Sequence, residues 1–496
     1  MHGTDRRFGL LVATWLAGLV AAMAFDSPYS AAAAPNGSSA AASADSTLTD
    51  SSARPSSALV LETLAIEGNT RTSREAVLRR FPLHEGDVVD PDKVLDAIDT
   101  LRAADLFAKV DFRAEAGSTR GQVKLVLVVL EKSVEVRFGT GYQDLDGWYL
   151  VPAELRFDNR LGQGERLRLT TKIGYRVGGA ELSFAQPSAG SSGRLFWGVG
   201  IGAYGINRVY FVDGVEYAHH LGQGNVGAYA GRRFGKSWRA EVGARLETIN
   251  ADSSAKANQT DDVVGVRLGD ELTFADLPAG VRDAVGKRKG SVLHAEIARD
   301  TRSTALVAGS PEHGFWGRVR AESFLREDVR ANAVTADLRG YGRVADLGVA
   351  LRLRAGVIGE DALFYDRFYL GGLYSVRGFP SQSLSPAGGD TRFWTASLEL
   401  RGALAGAEDR PRLAGLVFLD AGQGWWPGGE LVAPADTTFS PNATAFNPEK
   451  ASVSAGFGLR LRVPWIEWVG LDFGIPLTDT PVRESFHANG ALGWNF

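Results

Sequence analysis

The sequence contains no cysteine, which excludes disulfides and thiolate metal sites and leaves a chain at home in an oxidising compartment. No H-E-x-x-H or G-x-S-x-G pattern is present and no Ser-His-acid set stands out, so an enzyme is the weakest of the readings. Nothing implies a cofactor. Long apolar runs are missing too. Beyond the N-terminus the longest approach is Val123–Leu130, far short of the 18 or so residues that a membrane helix needs, and helical spans are excluded. Strong charge of one sign is also lacking: a net charge of −4 gives no general attraction for nucleic acid. What the chain does have is 60 glycines with no collagen-like period, which must serve turns and crowded strands.

The N-terminus reads as an export signal over residues 1–34. Arg6 and Arg7 precede an apolar stretch, and the small residues Ala31–Ala34 offer a cleavage site. Residues 35–58 are rich in Ala and Ser with few large apolar side chains, the composition of a disordered linker. Residues 59–132 then read as a small α/β domain of order β-α-α-β-β. Leu59–Ile66 is a strand, Thr72 or Ser73 caps a first helix, Asp90 or Pro91 opens a second, and Phe107–Ala114 and Gln122–Glu131 are strands. Such a unit exposes a sheet edge, which can receive an extended segment by strand addition.

From residue 133 to the end the pattern is period two, with one apolar and one charged face over segments of about ten residues. Leu347, Val349, Leu351, Leu353 and Val357 oppose Arg352 and Arg354; Leu167, Leu169 and Ile173 oppose Arg166, Arg168 and Lys172. A soluble sandwich would need one sheet-on-sheet core for a domain of about 360 residues, well beyond the usual size. A transmembrane barrel has no such limit, because its apolar face meets hydrocarbon and its charged face a wet lumen. The spacing predicts sixteen antiparallel strands, at 134–143, 148–158, 165–175, 179–186, 194–205, 223–234, 238–250, 290–300, 315–325, 332–344, 347–357, 392–402, 412–422, 451–463, 467–475 and 489–496. Trp148, Tyr149, Trp394, Trp465 and Trp468 fall near strand ends as interface anchors. Connections after even strands are mostly short, as at 160–164, 235–237 and 344–346. Several after odd strands are long, at 251–289, 358–391 and 423–450. Short turns therefore share the end of the small domain, and the long loops lie at the other end.

Three motifs are set aside. Gly222–Gly227 has the spacing of a dinucleotide fingerprint but opens a strand, not a helix. His219 and His220 are adjacent on a strand and point to opposite faces, which precludes a shared metal. Lys287-Arg-Lys289 reads as a short basic patch in an outside loop, solvated or touching lipopolysaccharide.

The stretch Tyr369–Pro380 is different: a lone Arg377 among apolar neighbours, with Gly371, Gly372 and Gly378, inside a loop far longer than a hairpin needs. Together with the export signal, the β-α-α-β-β unit with its Asp105-Leu-Phe107 and Val110, the sixteen strands, Val376-Arg-Gly-Phe379 and the terminal Phe496, it resembles the BamA/TamA superfamily of outer-membrane assembly factors and two-partner-secretion transporters. The resemblance covers residues 59–496 and makes the small domain similar to a POTRA (polypeptide-transport-associated) domain. The sequence departs from the assembly factors in showing one such domain where they carry several.

The resemblance implies that loop 358–391 folds back into the lumen, with Val376, Arg377, Gly378 and Phe379 locked against Asp420 in Val417–Gly422. It implies Trp494 and Phe496 as a C-terminal barrel signal, and a location in the bacterial outer membrane with the small domain in the periplasm. The partners implied are outer-membrane lipid and lipopolysaccharide, an unfolded client polypeptide, and periplasmic chaperones or accessory proteins. The alternative is a passive pore whose lumen is made cationic by Arg166, Arg168, Arg352 and Arg354; surface adhesion by the loops at 251–289 and 423–450 is a third reading.

Overall fold

A computed structural model describes residues 59–103, 106–132, 134–138, 153–173, 176–190, 193–262, 264–427, 445–463, 467–479, 486–492 and 494. The leader, the linker, Trp148, Tyr149, Trp465 and Phe496 lie outside them.

In the small domain, β1 (Leu59–Glu67) runs parallel to β4 (Gln122–Glu131), with β3 (Phe107–Ala116) on the outside of β4. A two-residue strand, β2 (Val88–Val89), adds to the other side of β1, so the sheet order is β2-β1-β4-β3. The sequence pattern shows no sign of β2, because two residues are too few to alternate. Ser73 caps α1 (Arg74–Leu78), its hydroxyl accepting from Ala76 N at 3.2 Å. Asp90 does the same for α2 (Pro91–Ala103) through Lys93 N. Both helices cover one face of the sheet. Ala76, Val77, Ile98 and Leu101 are buried with Leu61, Leu64, Leu125, Leu127 and Val110 in a single core.

Sixteen antiparallel strands follow and close into a barrel, the first (Glu135–Phe138) neighbouring the last (His487–Leu492). Closure matters because a sheet edge facing lipid would leave its N–H and C=O groups unsatisfied. Leu351, Leu353, Leu398, Val417, Leu419 and Leu459 all lie exposed on the outer side. So continuous an apolar surface is tenable only against hydrocarbon. The residues between them (Arg352, Glu399, Asp420 and Arg460 among them) point inward and are buried.

The wall is much taller on one side. The fifth, sixth and seventh strands (Leu195–Val212, Val215–Phe234, Trp238–Ala257) are 18 to 20 residues long, whereas the ninth, tenth and eleventh (Gly314–Arg326, Arg330–Val344, Leu347–Ile358) have 12 to 15. The predicted strands 194–205, 223–234 and 238–250 therefore stop short, and residues 251–257, expected in a loop, belong to the seventh strand. The chain continues to a two-residue hairpin at Asp213-Gly214, whose φ values of 51° and 80° are those of a type I′ turn. Lys287, Arg288 and Lys289 likewise do not form an outside loop: they begin the eighth strand, Gly286–Asp300, paired to Asn250, Ile249 and Thr248. Above the membrane both faces of a strand meet water or other loops, so the apolar alternation that marks a spanning strand is lost there.

The small domain docks on the end of the barrel that carries the short turns. Ser73 N donates to Gly162 O at 2.8 Å, Arg79 Nη2 to Gln163 Oε1 at 3.0 Å, and Arg80 Nη2 to Gly164 O at 3.4 Å. Burial against that turn draws the Arg80 guanidinium down to about 10, helped by the neighbouring Arg79, Arg166 and Arg233. Glu131, at the end of β4, orders the docking turn by accepting from Thr70 Oγ1, from Arg71 N and Nε and from Thr72 N and Oγ1. Burial alone would raise its pKa, but these bonds outweigh burial and hold the carboxyl down to about 2.

Candidate functional site

The loop at 359–391 leaves the eleventh strand (Leu347–Ile358) at the far end of the barrel and turns back between the walls. Buried Leu370, Val376, Phe379 and Leu384 pack with Phe393 into a cluster of their own, and the Phe368 ring meets that of Phe393 at a tilt, 4.6 Å between centroids. Arg367 holds the base of the loop by donating to the carbonyls of Glu360, Ala362 and Gly388, its guanidinium 3.9 Å from the ring of Trp426.

At the tip, all five N–H positions of the Arg377 guanidinium find an acceptor. Nε and Nη2 hold Asp420 at 2.7 and 2.8 Å; Nη1 reaches Glu399 at 2.6 Å and Asp472 at 3.3 Å; Nη2 also donates to Ser397 at 3.0 Å. The backbone N of Arg377 adds a bond to Asp420 at 3.1 Å, and the Phe418 ring lies 3.7 Å from the guanidinium carbon. The acceptors come from the twelfth (Arg392–Gly406), thirteenth (Pro411–Trp425) and fifteenth (Glu467–Pro476) strands. Two more cations complete the set: Arg401 on Glu399 at 2.7 Å, and Arg460 on Asp472 at 2.5 Å. Among the described residues, three buried arginines thus face three buried carboxylates.

Glycine lets the loop come this close. Gly378 sits at φ 86°, and a Cβ on Gly474 of the fifteenth strand would lie 2.5 Å from its Cα. Loop and wall touch backbone to backbone. Nearer the outer end there is a second hold on the loop. Asp366 takes Arg326 Nη1 and Nη2 at 2.6 and 3.0 Å, and Arg326 also binds Glu247.

Of the residues singled out in the sequence, Val376, Arg377, Gly378, Phe379 and Asp420 come together here. Glu399, Asp472, Ser397, Arg401, Arg460 and Gly474 were not singled out. Each acid is a lone charge between apolar neighbours in an alternating strand, which is the one signal that marks it. Arg352 is held by Asp337 at 2.8 Å, and Arg354 donates to the carbonyl of Tyr374 in the loop at 3.1 Å. Arg166 and Arg168 stand on the third strand (Arg166–Ile173), Arg168 lying 3.5 Å from Glu154. The lumenal charge is therefore mixed where the pore reading expects it cationic. Trp468 also departs from expectation as an interface anchor. It is buried on the inward side and not at the lipid interface; Trp494 packs 5.8 Å from it, with its ring 4.6 Å from the Arg401 guanidinium.

A closed barrel with an outward apolar face, preceded by a β-α-α-β-β unit, defines an outer-membrane protein with a POTRA domain. The Omp85 superfamily domain matches residues 159–491, and the POTRA model described as a surface antigen variable number repeat matches residues 61–132. The chain belongs to the Omp85 superfamily, and its POTRA domain lies in the periplasm. It is similar to the outer membrane protein assembly factor BamA of Nitratidesulfovibrio vulgaris, at 22% identity over 65% of this chain and 38% of that protein. The match thus spans well under two thirds of the relative. Among solved structures, BamA of Haemophilus ducreyi lacking POTRA domains 1–3 aligns with a TM-score of 0.61 at 16% identity, over 87% of this chain and 84% of that one. CdiB of Acinetobacter baumannii aligns with a TM-score of 0.53 at 16% identity, over 88% and 73%.

Proposed function

We propose that this protein inserts client β-barrels into the outer membrane or passes a polypeptide across it, without hydrolysis or a cofactor. The observation that carries this reading is the fully saturated Arg377. A lumen loop tied down by three carboxylates of the wall has no use in a passive pore, which it would obstruct. The client enters from the periplasm by adding a strand to the free edge of β3, where main-chain groups supply affinity and sequence matters little. It then meets the seam between the first and last barrel strands. Burial of the client's apolar face in lipid drives the step. Outer-membrane lipid and lipopolysaccharide surround the wall, and periplasmic chaperones deliver the client.

The test uses the full chain in lipid vesicles with an urea-unfolded barrel added from outside. Wild type accelerates the appearance of the folded, heat-modifiable client, and Arg377→Ala does not, while the variant itself remains heat-modifiable in gels. Full activity of Arg377→Ala would sink the lock. A large, steady open conductance of the wild type in planar bilayers would favour the pore.

A further inference from the structure

Among the described residues, the periplasmic turns at 159–165, 235–237, 345–346 and 407–410 span seven residues or fewer, whereas the connection after the eighth strand, residues 301–313, is longer. It forms a small hairpin, Leu306–Val307 against Ser310–Pro311, turned by Ala308 and Gly309 at φ 51° and 79°. A turn at the mouth of a barrel should be exposed, yet Val307 and Ala308 are wholly buried and Ser310 nearly so. The hairpin crosses beneath the lumen. Val307 lies against Gly348 of the eleventh strand, whose added Cβ would be 3.0 Å from Val307 Cγ1. Ala308 N donates to Glu408 O at 2.8 Å, just past the twelfth strand. Gly309 abuts the Trp468 ring of the fifteenth, where a Cβ would come within 2.6 Å.

Its tip also reaches the lock. Arg401 Nη1 donates to Ser310 Oγ at 2.7 Å, Arg401 Nε to Glu399 Oε2 at 2.8 Å, and Arg377 Nη1 to Glu399 Oε1 at 2.6 Å. Two side chains thus link the hairpin to Arg377. The same Arg401 carries Trp494, just beyond the last strand, on its face.

The geometry points to the 301–313 hairpin as a bar across the periplasmic mouth. Its seat on Arg401 positions Glu399 for Arg377, and a polypeptide entering from the periplasm must displace it. Lifting the bar frees Arg401 to leave Glu399, weakens one of the three acidic contacts of Arg377 and loosens the lumen loop. Ser310 and Arg401 are positioning residues in this scheme. The entering polypeptide rests on the function proposed above; the coupling of bar to loop does not.

Two measurements on the full chain in lipid test it, and the absence of native cysteine makes each introduced thiol unambiguous. In the first, Ser383→Cys, a buried position in the loop, reports loop release by its maleimide labelling rate. Ser310→Ala removes a hydrogen bond to a charged group and should raise that rate roughly tenfold or more. Gly309→Ala, which drives a methyl into Trp468, should do the same. Unchanged labelling in both overturns the coupling. In the second, the pair Val307→Cys and Gly348→Cys is oxidised to pin the bar. Client insertion should fall to the uncatalysed rate and return on reduction; equal activity of the pinned and reduced forms overturns the displacement. If the reduced form and wild type are both inactive toward every client offered, the functional reading fails, while the labelling result still decides the coupling.

Discussion

Arg377 illustrates why a buried cation must be judged with its surroundings. Among the described residues, removing it leaves Glu399, Asp420 and Asp472 against Arg401 and Arg460, and breaking a buried pair from one side costs roughly 3–5 kcal/mol. Asp420→Asn should cost a similar amount. The double variant Arg377→Met with Asp420→Asn restores two charges of each sign, and should be more stable than the sum of the two losses implies. The midpoint of the heat-modifiability transition checks this. Arg377→Lys keeps the charge but not the planar fork, so it should recover only part of the client activity. Gly474→Ala is a sharper probe still, since it touches no charge. Its methyl would strike Gly378 and lift the tip from the wall; increased trypsin cleavage at Arg377 with the barrel intact would show it. Asp420 alternates with Val417, Leu419 and Ala421, and that period of two is enough to put its side chain on the inward face with Phe418. Which acids across neighbouring strands meet the same arginine depends on strand stagger, and one strand's alternation does not contain that. Glu399 and Asp472 therefore emerged only from the assembled wall.

Among elements, the POTRA docking turn is the most tightly specified by backbone shape. Gly162 sits at φ 77°, and a Cβ there would lie 2.0 Å from the Arg71 carbonyl oxygen. Gly162→Ala should undock the domain, seen as loss of bismaleimide cross-linking between Arg79→Cys and Gln163→Cys. Docking should also depend on pH through Glu131. Its folded pKa lies below the ordinary 4.5, so its contribution is complete above that value and is lost as pH falls through about 4.5 toward about 2. The same cross-link measured down that range checks the sign, and Glu131→Gln should lack the dependence. The loop has its own element-scale prediction. Asp366→Asn weakens the outer hold on Arg326, and should speed labelling of Ser383→Cys less than Arg377→Ala does, because the tip contacts remain. The strand elements were readable wherever one face met lipid, and each of the sixteen predicted strands has its counterpart. Reading failed above the membrane, at 206–222, 251–257 and 286–289. There His219 packs against Phe364 under the loops while His220 stays exposed, and no apolar stripe marks the strand.

For the whole molecule, the buried cluster has a consequence in time. Arg377 follows the eleventh strand, yet one of its acceptors, Asp472, stands 95 residues further along the chain on the last strand but one. Closing so distant a contact comes late, because chain entropy is lost before the contact repays it. Until the fifteenth strand has docked, Arg377 and its loop lack part of their seat. The cluster thus acts as a completion mark for the protein's own biogenesis. During refolding into detergent, protection of Ser383→Cys from maleimide should rise together with heat-modifiability and never ahead of it. A chain ending before Glu467 should leave that thiol reactive indefinitely.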